Sequence, residues 1–173
     1  MKAQSQTSDV VATISRSKAS GKSALRAWLR LWACVGSVER VVRTRLYSDH
    51  GMTLPRFDYL SQLYREPDRR MNMTELSRRL MVSGGNVTGL TDRLVADGLV
   101  KREQDSSDRR VQIIALSDYG YERFIQVARE HEKWIGELFE DLGPDQMGVL
   151  NQTLGQLKQS LERKLNEQQE ERT

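Results

Sequence analysis

The sequence predicts a mainly α-helical fold that carries one small β-hairpin. Along most of the 173 residues, apolar side chains recur at steps of three and four, the spacing of one face of an α-helix. This spacing breaks at residues 100–116, where two short stretches rich in Val and Ile flank a polar loop, as in a hairpin. Glycine or proline stands where most of the periodic segments end, which divides the helical part into about six helices.

The first helix is expected over about residues 22–50. It would end at Gly51, since glycine adopts the left-handed conformation that stops a helix. Residues 1–20 are predicted to be a disordered tail, because they are rich in Ser, Thr, Lys and Gln and have few large apolar groups. We expect residues 21–173 to form a single domain. One apolar stripe runs along the first helix: Leu25, Trp28, Leu29, Trp32, Val35, Val38, Val42 and Leu46.

The second and third helices are predicted to be short. Thr53 is a suitable N-cap for the second, Pro55 lies in its first turn, and Pro67 follows its end. Thr74 is expected to cap the third helix, whose buried side would include Leu76.

The fourth helix and the hairpin follow directly. Ser83 can cap the helix, which would run to about Gly98. Strands are expected at Val100–Gln104 and at 111–116, joined by the polar loop 105–110. The order helix, turn, helix and hairpin is that of a winged helix-turn-helix, with its core at about 53–117.

Two long helices complete the chain over about residues 118–168. Ser117 can cap the first of them, and Gly143 separates it from the second. Residues 118–173 are acidic, with seven Lys/Arg against twelve Asp/Glu, whereas residues 1–48 carry nine against two. The basic first quarter could face DNA phosphates or an anionic ligand, or it could be a solvated face balanced by the acidic helices. The last helix repeats apolar residues at threes and fours: Met147, Leu150, Leu154, Leu157, Leu161 and Leu165.

The fourth helix has two contrasting faces. At about 100° per residue, Val87, Thr91 and Leu94 fall on the core side. The opposite side carries Gly85 and Gly89 and almost no long side chain. Two interior glycines cost a helix about 1 kcal/mol each relative to alanine. A helix pressed into a DNA major groove benefits from them, because its backbone can then approach the bases closely.

Polar groups near the start of this helix and in the loop 105–110 suit the same partner. Ser83, Asn86 and Thr88 offer short hydrogen-bonding side chains to phosphates or base edges, although Ser83 could simply cap and Asn86 could be solvated. Arg109 and Arg110 could enter a minor groove, where the negative potential is enhanced in A·T-rich DNA. The list of candidate DNA-binding or wing-bracing residues is therefore Ser83, Gly85, Asn86, Thr88, Gly89, Arg93, Asp108, Arg109 and Arg110, with Asp108 expected to pair with an arginine such as Arg93.

Several function classes lack their signatures in this sequence. It has no secretory signal and no apolar run of about 20 residues, so a cytoplasmic location is expected. One cysteine excludes an internal disulfide, and the two histidines and the cysteine lie too far apart in sequence to suggest zinc. Nucleophile-elbow, phosphate-loop and zinc-protease motifs are absent. We therefore expect no enzyme activity, no cofactor and no metal.

The chain resembles the MarR family of bacterial transcription regulators over roughly residues 23–165. The resemblance implies a winged-helix homodimer in which the N- and C-terminal helices, about 22–50 and 118–168, form the dimerisation region. It further implies a pseudo-palindromic operator, and most members are repressors that release DNA on binding a ligand or on oxidation. The matching segments are LSRRL (76–80), VSGGNVTGLTDRLVADGLV (82–100), DRR (108–110) and LSDYG (116–120).

The effector is the least specified part of the prediction. The chain looks like the branch of the family that serves aromatic-acid breakdown, which implies an aromatic acid or its CoA thioester as inducer. Aromatic side chains with nearby arginines suit such an anion, although tryptophans at helical spacing more often belong to a core. Candidate ligand-binding residues are Trp28, Trp32, Arg40, His50, Phe57 and Tyr59.

Three alternatives remain open from the sequence. Cys34 could make the protein a redox sensor, although a lone helical cysteine is more often a small packing group. The protein could bind DNA constitutively, with no effector. It could also be a helical adaptor that binds proteins, which the arginines of loop 105–110 and the two-glycine helix disfavour.

Overall fold

The computed structural model describes the backbone of residues 3–80, 84–104 and 111–171, and side chains from Gly21 onward within those ranges. The described chain is mostly helical with one small antiparallel sheet, which confirms the predicted fold class. None of the described helices has the length and hydropathy needed to cross a membrane. The elements in order are α1 (Ala3–His50), α2 (Leu54–Tyr64), β1 (Arg70–Asn72), α3 (Met73–Leu80), α4 (Gly84–Ala96), β2 (Val100–Gln104), β3 (Gln112–Leu116), α5 (Asp118–Leu138) and α6 (Pro144–Glu170).

The sheet has three antiparallel strands in the order β1-β3-β2. The predicted hairpin is confirmed, since β2 and β3 pair from Val100 opposite Leu116 to Gln104 opposite Gln112. Strand β1 was not predicted, because three residues are too few to display the alternation of a strand. It pairs Met71 with Ile114 and leads straight into α3, so it ties the helix-turn-helix to the wing.

Most helix ends follow their local sequence signals. Gly51 has φ +61°, the predicted left-handed stop of α1. Ser117 caps α5, since its Oγ accepts a hydrogen bond from the Gly120 amide at 2.8 Å. The predicted cap at Thr74 is wrong. Helix α3 begins two residues earlier than that cap requires, and Asn72 caps it by accepting a hydrogen bond from the Glu75 amide at 2.7 Å.

Helix α1 begins at Ala3, within the segment 1–20 that was expected to be a disordered tail. That prediction rested on the scarcity of large apolar groups. Residues 3–20 contain neither glycine nor proline, however, and they adjoin a helix that is already formed. Extending a helix adds one hydrogen bond per residue and carries no new nucleation cost, so the segment is compatible with helix.

The single domain predicted over residues 21–173 divides into two compact units, Met1–His131 and Glu132–Thr173. The boundary falls inside α5, where the sequence has no linker to signal it. The first unit holds the winged helix-turn-helix core, and its fully buried side chains include Leu46, Leu60, Leu76 and Ile114. Phe57 stacks there on Phe124, with ring centroids 5.4 Å apart.

Two apolar rows remain exposed in the single chain. In α1, Val42 and Leu46 are buried, but Leu25, Trp28, Leu29, Trp32 and Val35 are each more than half exposed. In the second unit, no residue of α6 is buried. The exposed large apolar residues of α6 are Val149, Leu154, Leu157, Leu161 and Leu165, of which the four leucines follow one another at steps of three and four.

Candidate nucleic-acid interface

Helix α4 has the two faces that its sequence predicts. Val87, Thr91 and Leu94 are fully buried. Asn86 and Thr88 are exposed near the start of the helix, on the side away from the core. The exposed face therefore presents short polar groups close to a helix N-terminus, where free amides and the helix dipole favour phosphate.

Gly85 and Gly89 have no steric role within the described chain. A Cβ atom built at either position meets nothing within 4 Å. Both residues have ordinary helical backbone, because neither is among the positive-φ glycines. Alanine would therefore fit at both positions without meeting any described residue.

A buried hydrogen-bond chain fixes α4 from behind. Thr91 Oγ1 donates to the Val87 carbonyl at 2.8 Å, so Tyr59 donates its hydroxyl proton to Thr91 Oγ1 across 2.6 Å. Tyr59 is fully buried, and this burial raises the pKa of its phenol to about 12. Tyr59, one of the predicted ligand-binding residues, thus links α2 to α4 through Thr91.

A second restraint joins α4 to the wing. Arg102 in β2 forms an ion pair with Asp92 on the exposed side of α4, with 2.6 Å between Nη2 and Oδ1. This pair was not predicted, because the two residues are ten apart in sequence and belong to different elements. It links the hairpin to α4.

Helix α3 carries an arginine pair that is already engaged. Arg78 and Arg79 both donate to Glu75, and these hydrogen bonds lower the pKa of the Glu75 carboxyl to about 2. Arg79 also reaches Glu66, with 2.6 Å between Nη1 and Oε1. Glu75 therefore stays ionised at any physiological pH, and the network ties α3 to the segment after α2.

The predicted wing tip lies outside the described residues. Asp108, Arg109 and Arg110 fall in the undescribed range 105–110, and Ser83 falls in 81–83. Arg93 is exposed in the last turn of α4. Its expected pairing with Asp108 remains a prediction.

The start of α5 is docked tightly on the turn that follows α4. Ser117 Oγ donates to the Gly98 carbonyl at 2.6 Å, and the Ser117 amide donates to the Leu99 carbonyl at 3.1 Å. A Cβ at Gly120 would lie 1.9 Å from the Leu99 carbonyl oxygen, so no larger residue fits without a backbone shift. This contact explains the glycine of LSDYG as a packing requirement.

The six predicted ligand-binding residues do not come together within one chain. Trp28 and Trp32 form a tilted, exposed pair with centroids 5.5 Å apart. They lie roughly 27–33 Å along α1 from His50, at 1.5 Å per residue. Phe57 is buried and packs on His131, with centroids 4.9 Å apart. Arg40 is exposed, Tyr59 belongs to the core, and His50 lines a cavity at the end of α1.

That cavity has a polar lining. Its volume is about 310 Å³, and His50, Arg56, Asp97, Tyr119 and Arg123 are among its lining residues. Arg56 is ion-paired with Asp97. Arg123 donates to the His50 carbonyl at 2.9 Å and so covers the end of α1. The sequence does not predict this cavity, because its lining residues come from four separate helix ends.

The sequence and the fold of this chain are similar to those of one protein family. A family model described as the MarR family matches residues 50–111. The HTH-type transcriptional repressor YetL of Bacillus subtilis is 29% identical over 120 residues, which cover 69% of this chain and 72% of YetL.

Two solved structures are similar over most of their length. Sco3205, a MarR family transcriptional regulator from Streptomyces coelicolor solved in complex with DNA, has a TM-score of 0.69 and 28% identity, covering 78% of this chain and 85% of that one. A MarR family transcriptional regulator from Silicibacter pomeroyi has a TM-score of 0.67 and 30% identity, covering 82% and 96%.

Proposed function

Because this chain belongs to the MarR family of DNA-binding transcriptional regulators, we propose that it is a homodimeric repressor released from a pseudo-palindromic operator by a small aromatic anion. Its fold and its relatives are those of regulators and not of enzymes. The observation that carries the proposed DNA contact is the exposed face of α4. Among the described residues, none lies close enough to Gly85 or Gly89 to require glycine, and the exposed polar residues Asn86 and Thr88 are adjacent to them.

The proposed homodimer would cover the apolar rows that one chain leaves exposed. Five large apolar residues in the first half of α1 are each more than half exposed, two of them tryptophans. Helix α6 buries none of its residues within the chain. Exposed apolar groups in such number are a common mark of an interface. A two-fold dimer would also supply a second recognition helix, as a pseudo-palindromic operator requires.

Repression is proposed by similarity to YetL, which is named a transcriptional repressor. A reporter gene under the protein's own promoter distinguishes repression from activation. We expect expression to rise when the gene for this protein is deleted. A fall in expression on deletion would reject repression and leave DNA binding intact.

An aromatic acid or its CoA thioester is proposed as the effector class. The support is the basic character of residues 1–48, with nine Lys/Arg against two Asp/Glu, together with the exposed Trp28–Trp32 pair. A thermal-shift screen of aromatic acids and their CoA esters, followed by a DNA-release assay on the hits, tests the class. Failure of every stabilising compound to release DNA would favour constitutive binding.

DNA binding itself is tested by fluorescence anisotropy on duplexes from the protein's own promoter. Affinity should fall steeply as salt rises, because phosphate contacts release counterions. Arg110→Ala should lower affinity and flatten the salt slope, while the dimer stays intact by light scattering. Lys158→Gln, at an exposed ion pair of α6, is the matched control and should leave binding unchanged. Salt-independent binding would contradict the proposed contact.

A further inference from the structure

The outer face of α3 carries two polar side chains that none of the contacts proposed above uses. Helix α3 is the first helix of the helix-turn-helix, and residues 81–83 separate it from α4. Its residue Leu76 is buried in the core. Thr74 and Arg78 are one turn apart, and at about 100° per residue they lie within about 40° of each other, opposite Leu76. Both are exposed, so α3 presents a hydroxyl and a guanidinium on the same face.

Glu75 fixes the direction of the Arg78 side chain. Arg78 donates from Nε to one carboxylate oxygen at 2.9 Å and from Nη2 to the other at 2.7 Å. Two parallel hydrogen bonds of this kind hold the plane of the guanidinium. Because arginine carries its donors in a rigid fork, those not bonded to Glu75 point away from it. Arg78 therefore directs its free donors outward, in a defined orientation.

Arg78 and Arg79 share Glu75 but differ in exposure. Arg79 is held between two carboxylates, since it donates to Glu75 at 2.7 Å and to Glu66 at 2.6 Å. Its side chain is 34% exposed and that of Glu75 is 27% exposed, whereas that of Arg78 is 74% exposed. Arg79 thus has a structural role, and Arg78 is the outermost charge of the group. An anion that approaches this face meets Arg78 first.

We propose that Arg78 and Thr74 together bind one phosphate of the DNA backbone, beside the groove that α4 enters. When the second helix of a helix-turn-helix lies in the major groove, the first helix crosses the backbone. Phosphate oxygens match the parallel donors of arginine, and a threonine hydroxyl is a common second donor to phosphate. This inference rests on the proposed DNA binding and adds to it a contact that positions the protein without reading sequence.

A purely structural role for Arg78 makes a different prediction. Arg78 lies in the last turn of α3, where a cation interacts favourably with the helix dipole, and it is three residues from Glu75 on the same helix. Both effects stabilise the helix and would change Tm when Arg78 is replaced. A phosphate contact instead changes how steeply DNA affinity falls with salt, because each contact releases counterions.

The test measures this salt dependence by fluorescence anisotropy on a promoter duplex. Each lost phosphate contact lowers the slope of log K against log salt by about 0.9, so Arg78→Gln should lower it by about 2 in a dimer with two α3 helices. Affinity at a fixed moderate salt concentration should fall at least about tenfold, with Tm nearly unchanged. The loss should be equal on a scrambled duplex, because the contact reads no base.

Two milder variants test the same site without removing its charge. Arg78→Lys keeps the cation and should retain the slope, with a smaller loss of affinity because an ammonium lacks the planar fork. Thr74→Val keeps the shape and removes the hydroxyl, so it should lower affinity a few-fold at unchanged slope. Wild-type affinity in Thr74→Val, or a slope in Arg78→Lys as low as that of Arg78→Gln, overturns the proposal.

Two controls remove one positive charge elsewhere. Arg79→Gln breaks the ties to Glu66 and Glu75, so it should lower Tm and keep the slope. Lys158→Gln, at an exposed ion pair of α6, should change neither quantity. An equal loss of slope in either control would assign the effect to net charge and overturn the phosphate site.

The outcome for the wild type separates this inference from the proposed function. If the wild type binds no promoter duplex, the proposed function fails and the phosphate site fails with it. If the wild type binds with steep salt dependence and Arg78→Gln keeps both its affinity and its slope, DNA binding stands and the phosphate site alone is refuted.

Discussion

Replacing Gly89 by alanine should strengthen the fold and weaken operator binding in the same protein. A Cβ at Gly89 meets nothing within 4 Å in the chain, so the methyl group has room. Alanine in a helix interior is about 0.5–1 kcal/mol more favourable than glycine. For a chain of this size, 1 kcal/mol shifts Tm by about 2–4 °C, so Gly89→Ala should raise Tm by roughly that much or slightly less.

The effect on DNA has the opposite sign, because the added carbon stands on the face proposed to enter the major groove. Gly89→Leu, with a larger side chain at the same point, makes the effect unambiguous. A loss of about 1.4 kcal/mol per recognition helix is tenfold in affinity, and two helices in a dimer give about a hundredfold. Fluorescence anisotropy on promoter DNA and calorimetric melting measure the two quantities.

Gly136→Ala is the matched control, since a Cβ there also meets nothing within 4 Å and the residue lies in α5. It should raise Tm by a similar amount and leave operator affinity unchanged. Wild-type affinity in Gly89→Leu would refute the reasoning, because the glycine would then serve no close approach to DNA.

Three further substitutions test the supports of the interface. Arg102→Gln removes the ion pair with Asp92 and should weaken operator binding several-fold with little change in Tm, since an exposed pair contributes only about 0–1 kcal/mol; an equal loss of Tm and affinity would assign the pair to stability alone. Tyr59→Phe removes a buried hydrogen bond to Thr91 and should cost about 1 kcal/mol of unfolding free energy in denaturant titration, with operator affinity retained; a large loss of DNA binding at unchanged stability would contradict the structural role. Peroxide should release no more DNA from the wild type than from Cys34→Ser. If peroxide releases DNA from the wild type and this substitution abolishes the release, the exposed Cys34 is a redox sensor.

Local features of the fold could be predicted because they depend on neighbours in sequence. The stop at Gly51 and the cap at Ser117 each need only a few adjacent residues, and both are confirmed. The cap at Thr74 failed by a small margin. Asn72 and Thr74 are both good capping residues, and only the exact start of α3 decides between them.

Contacts between different helices and strands could not be predicted from neighbouring residues. The pair of Arg102 with Asp92 and the hydrogen bond of Tyr59 to Thr91 join residues whose approach depends on the packed fold. Periodicity correctly put Thr91 on the buried side of α4 but could not name its partner.

The predicted ligand-binding residues also depend on contacts between elements, which the sequence does not specify. The predicted ligand-binding residues share aromatic or basic chemistry, but they differ in burial. Trp28 is exposed, whereas Tyr59 lies in the core. The polar cavity instead draws Arg56 and Arg123 from the starts of two helices. No spacing in the sequence brings these two residues together.

The close contact of Gly120 with the Leu99 carbonyl restricts how α4 can move relative to the start of α5. Because this junction is closely packed and hydrogen-bonded, we expect α4 and the start of α5 to rotate together. Helix α4 spans 13 residues, so its far end lies about 20 Å from the junction. A rotation of about 10° at the junction would move that end by about 3.5 Å, more than the length of a hydrogen bond to a base.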